Sequence, residues 1–283
     1  MDIVPFKSIL SNYKTIFFDA FGVLKNHSGM MEGIEKTFRF LEENDINFFI
    51  ITNDSSRGPK ELALSYQLAG LTQITEEKIV SSGMLAREYL KLKVKEGTIA
   101  YLGTSQSAHY IETVGLKTIS VADVDPKDPH DINTVVFLDD EGFDWNYDIN
   151  KVINLLRYHN VTAIVCNTDK TYPVANNEVN IAIGGIAKMV EDIVGKKFIR
   201  FGKPDAQMFI FAYEHALRKG MHVKKNEILM VGDTLGTDIL GGNKFGLDTA
   251  LVLSGNTLPS RAQTSIMTSG IIPTYVCESA VVR

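Results

Sequence analysis

The sequence predicts an α/β fold organised around a mostly parallel sheet, and two observations lead to it. Short apolar runs typical of buried strands alternate, over most of the 283 residues, with segments whose apolar positions recur about every 3.6 residues. Such repeated strand–helix units favour a parallel sheet, and ligands of these sheets gather at the carboxyl ends of the strands. We therefore expect the functional side chains at those ends.

The predicted elements alternate along the chain. Eight apolar runs are predicted to be strands: 16–18, 48–51, 99–102, 135–138, 163–165, 198–201, 228–231 and 250–253. Seven amphipathic segments between them are predicted to be helices: 32–43, 59–69, 84–94, 147–158, 185–194, 206–219 and 235–245. Spacing alone leaves open whether residues 98–180 form an inserted domain or continue one long sheet.

Composition narrows the function classes. The net charge of -5 provides no basic field for nucleic acid, but a small phosphorylated ligand could still be held locally. The two cysteines, Cys166 and Cys277, are far apart and lack the spacing of a zinc site or a disulfide framework. We find neither a signal peptide nor an apolar run of membrane-spanning length, so we expect no membrane association and a cytoplasmic location.

Four predicted strands end at residues suited to phosphate chemistry. A carboxylate nucleophile at Asp19 could attack a phosphoryl group whose oxygens are met by a hydroxyl and an ammonium. Thr52 and Lys203 are suitable donors. Asp19 and Asp233 would repel such a ligand unless a hard cation such as Mg²⁺ bridged them, with Asp238 nearby. Each motif alone is more often a helix cap or a turn, so their coincidence carries the interpretation.

The same segments resemble the motifs of the haloacid dehalogenase (HAD) superfamily, and more narrowly its NagD-like and 4-nitrophenyl phosphatase-like branch. The resemblance covers nearly the whole chain, and its fourth motif is the most specific. The motifs are FDAFGVL at 18–24, ITNDSSR at 51–57, FGKP at 201–204 and VGDTLGTDILGG at 231–242. A further segment, NTDKTYP at 167–173, is similar to a loop of the family's cap domain that faces the substrate.

The resemblance implies a Rossmann-like doubly wound core in which Asp19 attacks phosphorus and forms an aspartyl-phosphate. Thr52 and Lys203 would bind the phosphoryl oxygens, and Lys203 would also offset the charge of Asp19. Asn53 would orient the nucleophile or the phosphate. The expected substrate is a small phosphorylated metabolite.

The resemblance also implies a metal site. Mg²⁺ would bind the carboxylates of Asp19 and Asp233 and the backbone carbonyl of Phe21. Asp238 would steady the ion or Lys203 from outside the coordination sphere.

An inserted α/β cap domain is implied as well. Its predicted range is 81–184, between core segments 1–80 and 185–283, with Gly184 and Gly185 marking a hinge where the chain returns to the core. Asn167, Asp169 and Tyr172 would contact the substrate from the cap. Caps of this branch often pair, so we expect a homodimer. We interpret His27, which follows the first motif, as a solvent-facing loop residue.

One residue departs from the phosphatase pattern. The phosphatases of the family carry a second Asp two residues after the nucleophile, which acts as general acid and base, and here that residue is Phe21. Losing such a group typically costs about 100-fold to 10,000-fold in rate. Phe21→Asp should raise phosphatase activity unless a substitute acid already acts.

Three interpretations remain open at this point. The first is a Mg²⁺-dependent phosphatase in which another carboxylate, such as Asp54 or Asp169, substitutes for the missing acid. The second is a phosphoryl-binding protein with little or no catalysis. The third is a metal-independent 2-haloacid dehalogenase-like hydrolase, because such enzymes carry an aromatic residue at the position of Phe21. The predicted metal ligands favour the first.

Overall fold

The computed structural model describes residues 2–26, 28–175 and 178–283, so His27 lies outside the described residues. The α-helices of the described residues are α1 Phe6–Leu10, α2 Ile34–Glu43, α3 Pro59–Leu68, α4 Ser82–Lys93, α5 His109–Glu112, α6 Tyr147–Tyr158, α7 Ile183–Val194, α8 Ala206–Arg218, α9 Leu240–Phe245 and α10 Pro259–Ser269. A π-helical turn, Leu235–Ile239, directly precedes α9. None of these helices is long and apolar enough to cross a bilayer.

The strands confirm the predicted α/β class. They are β1 Thr15–Phe18, β2 Lys25–Asn26, β3 Gly29–Met30, β4 Asn47–Thr52, β5 Ile79–Ser81, β6 Thr98–Leu102, β7 Lys117–Ser120, β8 Ile132–Phe137, β9 Thr162–Val165, β10 Thr171–Ala175, β11 Glu178–Ile181, β12 Ile199–Arg200, β13 Ile228–Gly232, β14 Asp248–Val252 and β15 Tyr275–Cys277. They form two parallel sheets and two short antiparallel pairs, β2–β3 and β10–β11.

The first sheet has six parallel strands in the order β15-β14-β13-β1-β4-β5. Its central strands are apolar on both faces because helices cover both. In β1, Ile16 and Phe18 pack into a cluster with residues of α1, α2 and α3, whereas Phe17 faces the cluster of α8 and α9. A strand buried on both sides reads as a continuous apolar run, which is the signal that the sequence gives.

The second sheet has five parallel strands in the order β12-β9-β8-β6-β7. Residues of α6 and α7 pack on one face, and residues of α4 and α5 pack on the other. The described residues thus form two large parallel sheets with separate cores, one made by residues towards both ends of the sequence and one made by the middle.

The strand pairing shows that the elements of the middle unit extend further along the chain than predicted. Helix α7 buries Ile186 and Val190 in the core of the second sheet, and β12 pairs with β9. Because these elements belong to the second sheet, the return to the first sheet follows residue 200, not residue 184. We therefore propose a second unit of about residues 81–200, and we call the remainder of the chain, which carries the first sheet, the first unit.

Gly184 and Gly185 are not between the two units, contrary to the predicted hinge. Both lie in the first turn of α7. A Cβ on Gly184 would stand 2.5 Å from the backbone oxygen of Asp169 and 2.6 Å from that of Asn167. The glycine is therefore needed for close packing of the 167–169 loop against α7.

Candidate active site

Three neighbouring strands of the first sheet end at the same edge and deliver three predicted residues there. Asp19 follows β1, Thr52 ends β4, and Asp233 follows β13. The backbone N–H of Asp19 donates to the carbonyl of Val231 at 2.8 Å, which continues the ladder between β1 and β13 as far as Asp19. Parallel register thus brings together residues that are more than 200 positions apart.

Lys203 connects two of the carboxylates at this edge. Its Nζ donates to Oδ1 of Asp19 at 2.5 Å and to Oδ1 of Asp238 at 2.7 Å. Asp19, Lys203, Asp233 and Asp238 together are called the floor below. The predicted pairing of Lys203 with Asp19 is present, and Asp238 contacts Lys203 directly.

The floor carries an excess of negative charge. Oxygens of its three carboxylates lie within 4.8 Å of one another. Ionised, they bear three negative charges against the single positive charge of Lys203, so a divalent cation would balance the remaining two. Oxygen ligands of this kind suit a hard cation. Asp19, Asp233 and Asp238 therefore fit a site for such an ion.

Burial and the neighbouring charges shift the pKa values of the floor residues. Burial, together with the charges of Asp19 and Asp238, raises the pKa of Asp233 well above its usual range. Burial also raises the pKa of Asp238 to about 7, although Lys203 opposes the shift. Burial alone would lower the pKa of Lys203, but the carboxylates of Asp19 and Asp238 raise it further than burial lowers it. Lys203 is accordingly a permanent cation.

The loop after β14, a fifth strand end that the sequence analysis did not single out, helps to hold Asp233 in place. The backbone N–H of Asn256 donates to Asp233 Oδ2 at 2.6 Å, and the Thr234 hydroxyl donates to its Oδ1 at 2.8 Å. The Ser254 hydroxyl donates to the carbonyl of Gly22 at 2.6 Å, in the loop after Asp19. The available signal was the polar run Ser-Gly-Asn-Thr at 254–257, directly after a predicted strand.

Two glycines allow the loops after β1 and β14 to approach Asp233. A Cβ on Gly22, whose φ is +78°, would stand 1.9 Å from Asp233 Oδ2. A Cβ on Gly255 would meet the same oxygen at 1.9 Å and the Cα of Gly22 at 2.6 Å. A side chain at either position would clash with Asp233, so this arrangement of the floor requires glycine at both positions.

Asn53 joins the floor to the second unit. Its Oδ1 accepts the backbone N–H of Lys203 at 2.7 Å, and its Nδ2 donates to Thr168 Oγ1 at 3.1 Å and to Asp169 Oδ1 at 2.9 Å. The Thr168 hydroxyl in turn donates to the carbonyl of Lys203. The side chain of Asn53 thus fixes the backbone of Lys203 and the 167–169 loop. Its expected role in orienting the nucleophile or the phosphate stays a prediction.

A cleft of about 680 Å³ opens above the floor, between the two units. It is lined by six of the ten predicted site residues: Asp19, Phe21, Thr52, Asn167, Asp169 and Tyr172. The other four, Asn53, Lys203, Asp233 and Asp238, are buried beneath it. All ten thus lie at one location. Thr52 is itself fixed, since its Oγ1 accepts the N–H of Asp54 at 3.1 Å.

The ring of Phe21 lines the same cleft as Asp19. It lies 5.9 Å from the ring of Tyr172, measured between centroids, and the Lys25 ammonium lies 4.5 Å from its centroid. Such contacts are each worth about 0.5–1.5 kcal/mol. Phe21 is therefore held between a cation of the first unit and an aromatic ring of the second.

The second unit contributes an acidic roof to the cleft, defined here as Asp139, Asp140, Glu141 and Tyr172. Burial, then repulsion from Asp140 and Asp54, raises the pKa of Asp139 to about 7. Burial also raises the pKa of Asp140, whose Oδ2 accepts the Tyr172 hydroxyl at 3.1 Å. The sequence signal for these acids was their position directly after the predicted strand 135–138.

Comparisons with known proteins agree with this architecture. A family model described as haloacid dehalogenase-like hydrolase matches residues 16–117, and a second, described as HAD-hydrolase-like, matches residues 200–281. A solved structure of a possible sugar phosphatase of the HAD superfamily, from Cytophaga hutchinsonii, is 56% identical; the match covers 100% of this chain and 99% of that one, with a TM-score of 0.95. The chain belongs to the HAD superfamily. It is a hydrolase of the phosphatase type.

More distant relatives support the same placement. Chronophin of Mus musculus is 26% identical over 96% of this chain and 92% of its own length. The 4-nitrophenylphosphatase of Thermotoga maritima shares the fold, with a TM-score of 0.76, 23% identity and 97% coverage of both chains. The two separate family matches, 16–117 and 200–281, flank the middle of the chain that forms most of the second sheet.

Proposed function

We propose that this protein is a Mg²⁺-dependent phosphatase that hydrolyses a small phosphorylated metabolite through an aspartyl-phosphate on Asp19. The observation that carries the proposal is the floor: a carboxylate facing a cleft, paired to a buried ammonium at 2.5 Å and surrounded by two further carboxylates. Known phosphatases among the relatives, including a dihydroxyacetone phosphatase of Corynebacterium glutamicum, support the reaction class.

The chain's own residues account for the first step. An oxygen of Asp19 attacks phosphorus while Lys203, fixed through its backbone by Asn53, neutralises charge on the nucleophile and on the phosphoryl oxygens. The Thr52 hydroxyl, on the neighbouring strand end, would donate to the same oxygens. Bound Mg²⁺, held by Asp19, Asp233 and the carbonyl of Phe21, would stabilise the negative charge that develops on the phosphoryl group.

The second unit would recognise the leaving group. Asn167, Asp169 and Tyr172 belong to the second unit and line the cleft, which supports their assignment as substrate contacts. Pairing of two chains through the second unit and a cytoplasmic location stay predictions.

The test is phosphate release from 4-nitrophenyl phosphate and acetyl phosphate, with and without Mg²⁺. We expect release that requires the metal and is lost in Asp19→Asn. Halide release from 2-chloropropionate without metal would instead establish the dehalogenase alternative, which the excess of acid in the floor disfavours because those enzymes use no metal.

One observation favours a second candidate function, a phosphoryl-binding protein with little catalysis. Phe21 stands at the position of the missing acid, and its ring packs against Lys25 and Tyr172. Tight, Mg²⁺-dependent binding of inorganic phosphate, without release from either phosphate ester, would support this candidate.

A further inference from the structure

The floor supplies a nucleophile and a cation but leaves the proton for the leaving oxygen without a donor. Phe21 cannot give one. A donor must line the cleft, lie close enough to Asp19 and Lys203 to sense their charges, and have an oxygen that can exchange a proton. Among the residues that the structure describes, five carboxylates besides Asp19 line the cleft: Asp54, Asp139, Asp140, Glu141 and Asp169.

Asp54 already has partners for its oxygens. Its Oδ1 accepts the N–H of Ser56 at 2.9 Å and the Ser56 hydroxyl at 2.6 Å, and its Oδ2 faces the Lys25 ammonium at 4.0 Å. Both oxygens of Asp54 thus face Ser56 or Lys25 and not the reacting pair. Asp54 is therefore less well placed to reach a leaving oxygen.

The roof acids lie in a different electrostatic environment. The neighbouring charges that act on Asp139 are those of Asp140, Asp54 and Glu141. Asp140 in turn accepts the Tyr172 hydroxyl. Asp169 is the cleft carboxyl of the second unit whose main electrostatic neighbours are Lys203 and Asp19, followed by Asp54. The geometry agrees, because Asn53 bonds both the carboxyl of Asp169 and the backbone N–H of Lys203. These observations select Asp169.

Asp169 is also held rigidly. Its Oδ1 accepts Asn53 Nδ2 at 2.9 Å, and its backbone N–H donates to Asn167 Oδ1 at 2.8 Å. The adjacent Thr168 is bonded to the carbonyl of Lys203, and Gly184 packs against the backbone of the loop. The carboxyl is therefore positioned relative to Lys203, and through it relative to Asp19, by a chain of hydrogen bonds.

We propose that Asp169 is the general acid and base that replaces the carboxylate missing at Phe21. This inference rests on the proposed phosphatase function. In the first step, Asp19 forms its bond to phosphorus as the ester P–O bond breaks, and the leaving oxygen takes the proton of Asp169. In the second, the Asp169 carboxylate takes a proton from water, whose oxygen bonds to phosphorus as the Asp19–phosphorus bond breaks.

The proton affinity of Asp169 is compatible with both steps. Burial raises its pKa to about 6, against the attraction of Lys203 and the hydrogen bond from Asn53, and with the repulsion of Asp19 and Asp54. A pKa near the working pH lets one group both donate and accept a proton during turnover.

The experiment compares leaving groups in the Mg²⁺-loaded enzyme. Phenyl phosphate needs a protonated leaving oxygen more than 4-nitrophenyl phosphate does, and kcat/KM reports the steps through formation of the aspartyl-phosphate. In Asp169→Asn, we expect kcat/KM for phenyl phosphate to fall about 100-fold or more and that for 4-nitrophenyl phosphate less than tenfold. Phe21→Asp in the Asp169→Asn background should restore at least tenfold for phenyl phosphate, and Phe21→Asn should not.

Asp148→Asn is the control, since it removes a buried carboxyl of the second unit, on α6, that does not line the cleft. It should leave both kcat/KM values as in the wild type. Equal losses for both substrates in Asp169→Asn, or none, would overturn the proposal while the phosphatase function stands. Absence of Mg²⁺-dependent release from 4-nitrophenyl phosphate by the wild type would overturn the function itself.

If Asp169→Asn folds poorly, the pH dependence of kcat/KM in the wild type tests the role of Asp169 instead. The proposal requires kcat/KM for phenyl phosphate to decline above about pH 6, as Asp169 loses its proton. The decline should be weaker for 4-nitrophenyl phosphate. Identical pH profiles for the two substrates would contradict the assignment.

Discussion

The floor and the roof of the cleft are both acidic, yet they are built in different ways. In the floor, Lys203, Asp233 and Asp238 are each only 1% exposed, and their positions follow from strand ends, backbone hydrogen bonds and glycines. In the roof, Asp139 and Asp140 are partly exposed and belong to a loop after β8. The difference indicates that Asp19 and its paired cation are fixed by the first sheet, whereas the roof can vary with the loops of the second unit.

The largest effect is expected from breaking the ion pairs of the floor. Lys203→Met would leave Asp19 and Asp238 without their shared cation. Removing one partner of a buried pair typically costs about 3–5 kcal/mol, and loss of a charged donor costs about 100-fold to 1,000-fold in rate. Urea unfolding without Mg²⁺ and phosphate release measure the two effects, and added Mg²⁺ should recover part of the stability.

Lys188→Met is the matched control for that variant. Lys188 also contacts two carboxylates, Asp192 at 2.5 Å and Glu191 at 3.6 Å, but it is exposed on α7. Exposed pairs contribute little to stability. If both lysine variants lost the same unfolding free energy, the contrast between a buried floor and an exposed surface would be wrong.

A smaller effect is expected from the backbone approach to Asp233. Gly22→Ala adds a Cβ that would stand 1.9 Å from Asp233 Oδ2 and also strains a residue at φ +78°. Gly220→Ala has nearly the same φ, +83°, with nothing within 4 Å of the new Cβ, so it measures backbone strain alone, about 1–2 kcal/mol.

Calorimetric titration with Mg²⁺ separates these two glycine variants. Gly22→Ala should lose both stability and metal affinity, because Asp233 must move. Gly220→Ala should lose stability only. Unchanged Mg²⁺ affinity in Gly22→Ala would show that the metal does not bind at Asp233.

The smallest effect concerns the roof. Folding raises the pKa of Asp139 from the usual 3.8 to about 7, so between these values the folded state holds more protons than the unfolded state. The stability contributed by the neutral carboxyl is therefore complete below pH 3.8 and is lost as the pH rises to about 7.

Asp139→Asn removes this titration. As the pH rises from 4 to 8, the unfolding free energy of the variant should increase by about 1–2 kcal/mol relative to that of the wild type. This figure is reduced for the partial exposure of the site. Urea unfolding at the two pH values measures it. A pH dependence identical to that of the wild type would place Asp139 in water and remove it from the roof.

The fold could be predicted from the sequence where strands are buried on both faces. The runs at 16–18 and 228–231 are apolar because helices cover both sides of the first sheet, and they correspond to β1 and β13. The end of the second unit could not be predicted in this way. Helix α7 is amphipathic whichever sheet it packs on, and β12 has only two residues, so no periodicity distinguishes residue 184 from residue 200.

The candidate site, like the fold, could be predicted from the sequence only in part. Asp19, Lys203 and Asp233 were predictable because charged residues directly after apolar runs are distinctive. The loop at 254–257 contributes mainly through backbone groups and a hydroxyl, and such contacts leave little trace in residue types. The bonds of Asn53 to Thr168 and Asp169 join residues more than 100 positions apart, which no spacing rule reveals.

The central claim, phosphoryl transfer to Asp19, is tested most directly by trapping the intermediate. The enzyme is mixed with Mg²⁺ and 4-nitrophenyl phosphate, quenched in acid within milliseconds and digested, and the phosphorylated peptide is mapped. The account predicts a Mg²⁺-dependent phosphoryl group on Asp19 that decays at the turnover rate and is absent from Asp19→Asn. Turnover without an adduct, or with the adduct on another residue, would contradict it.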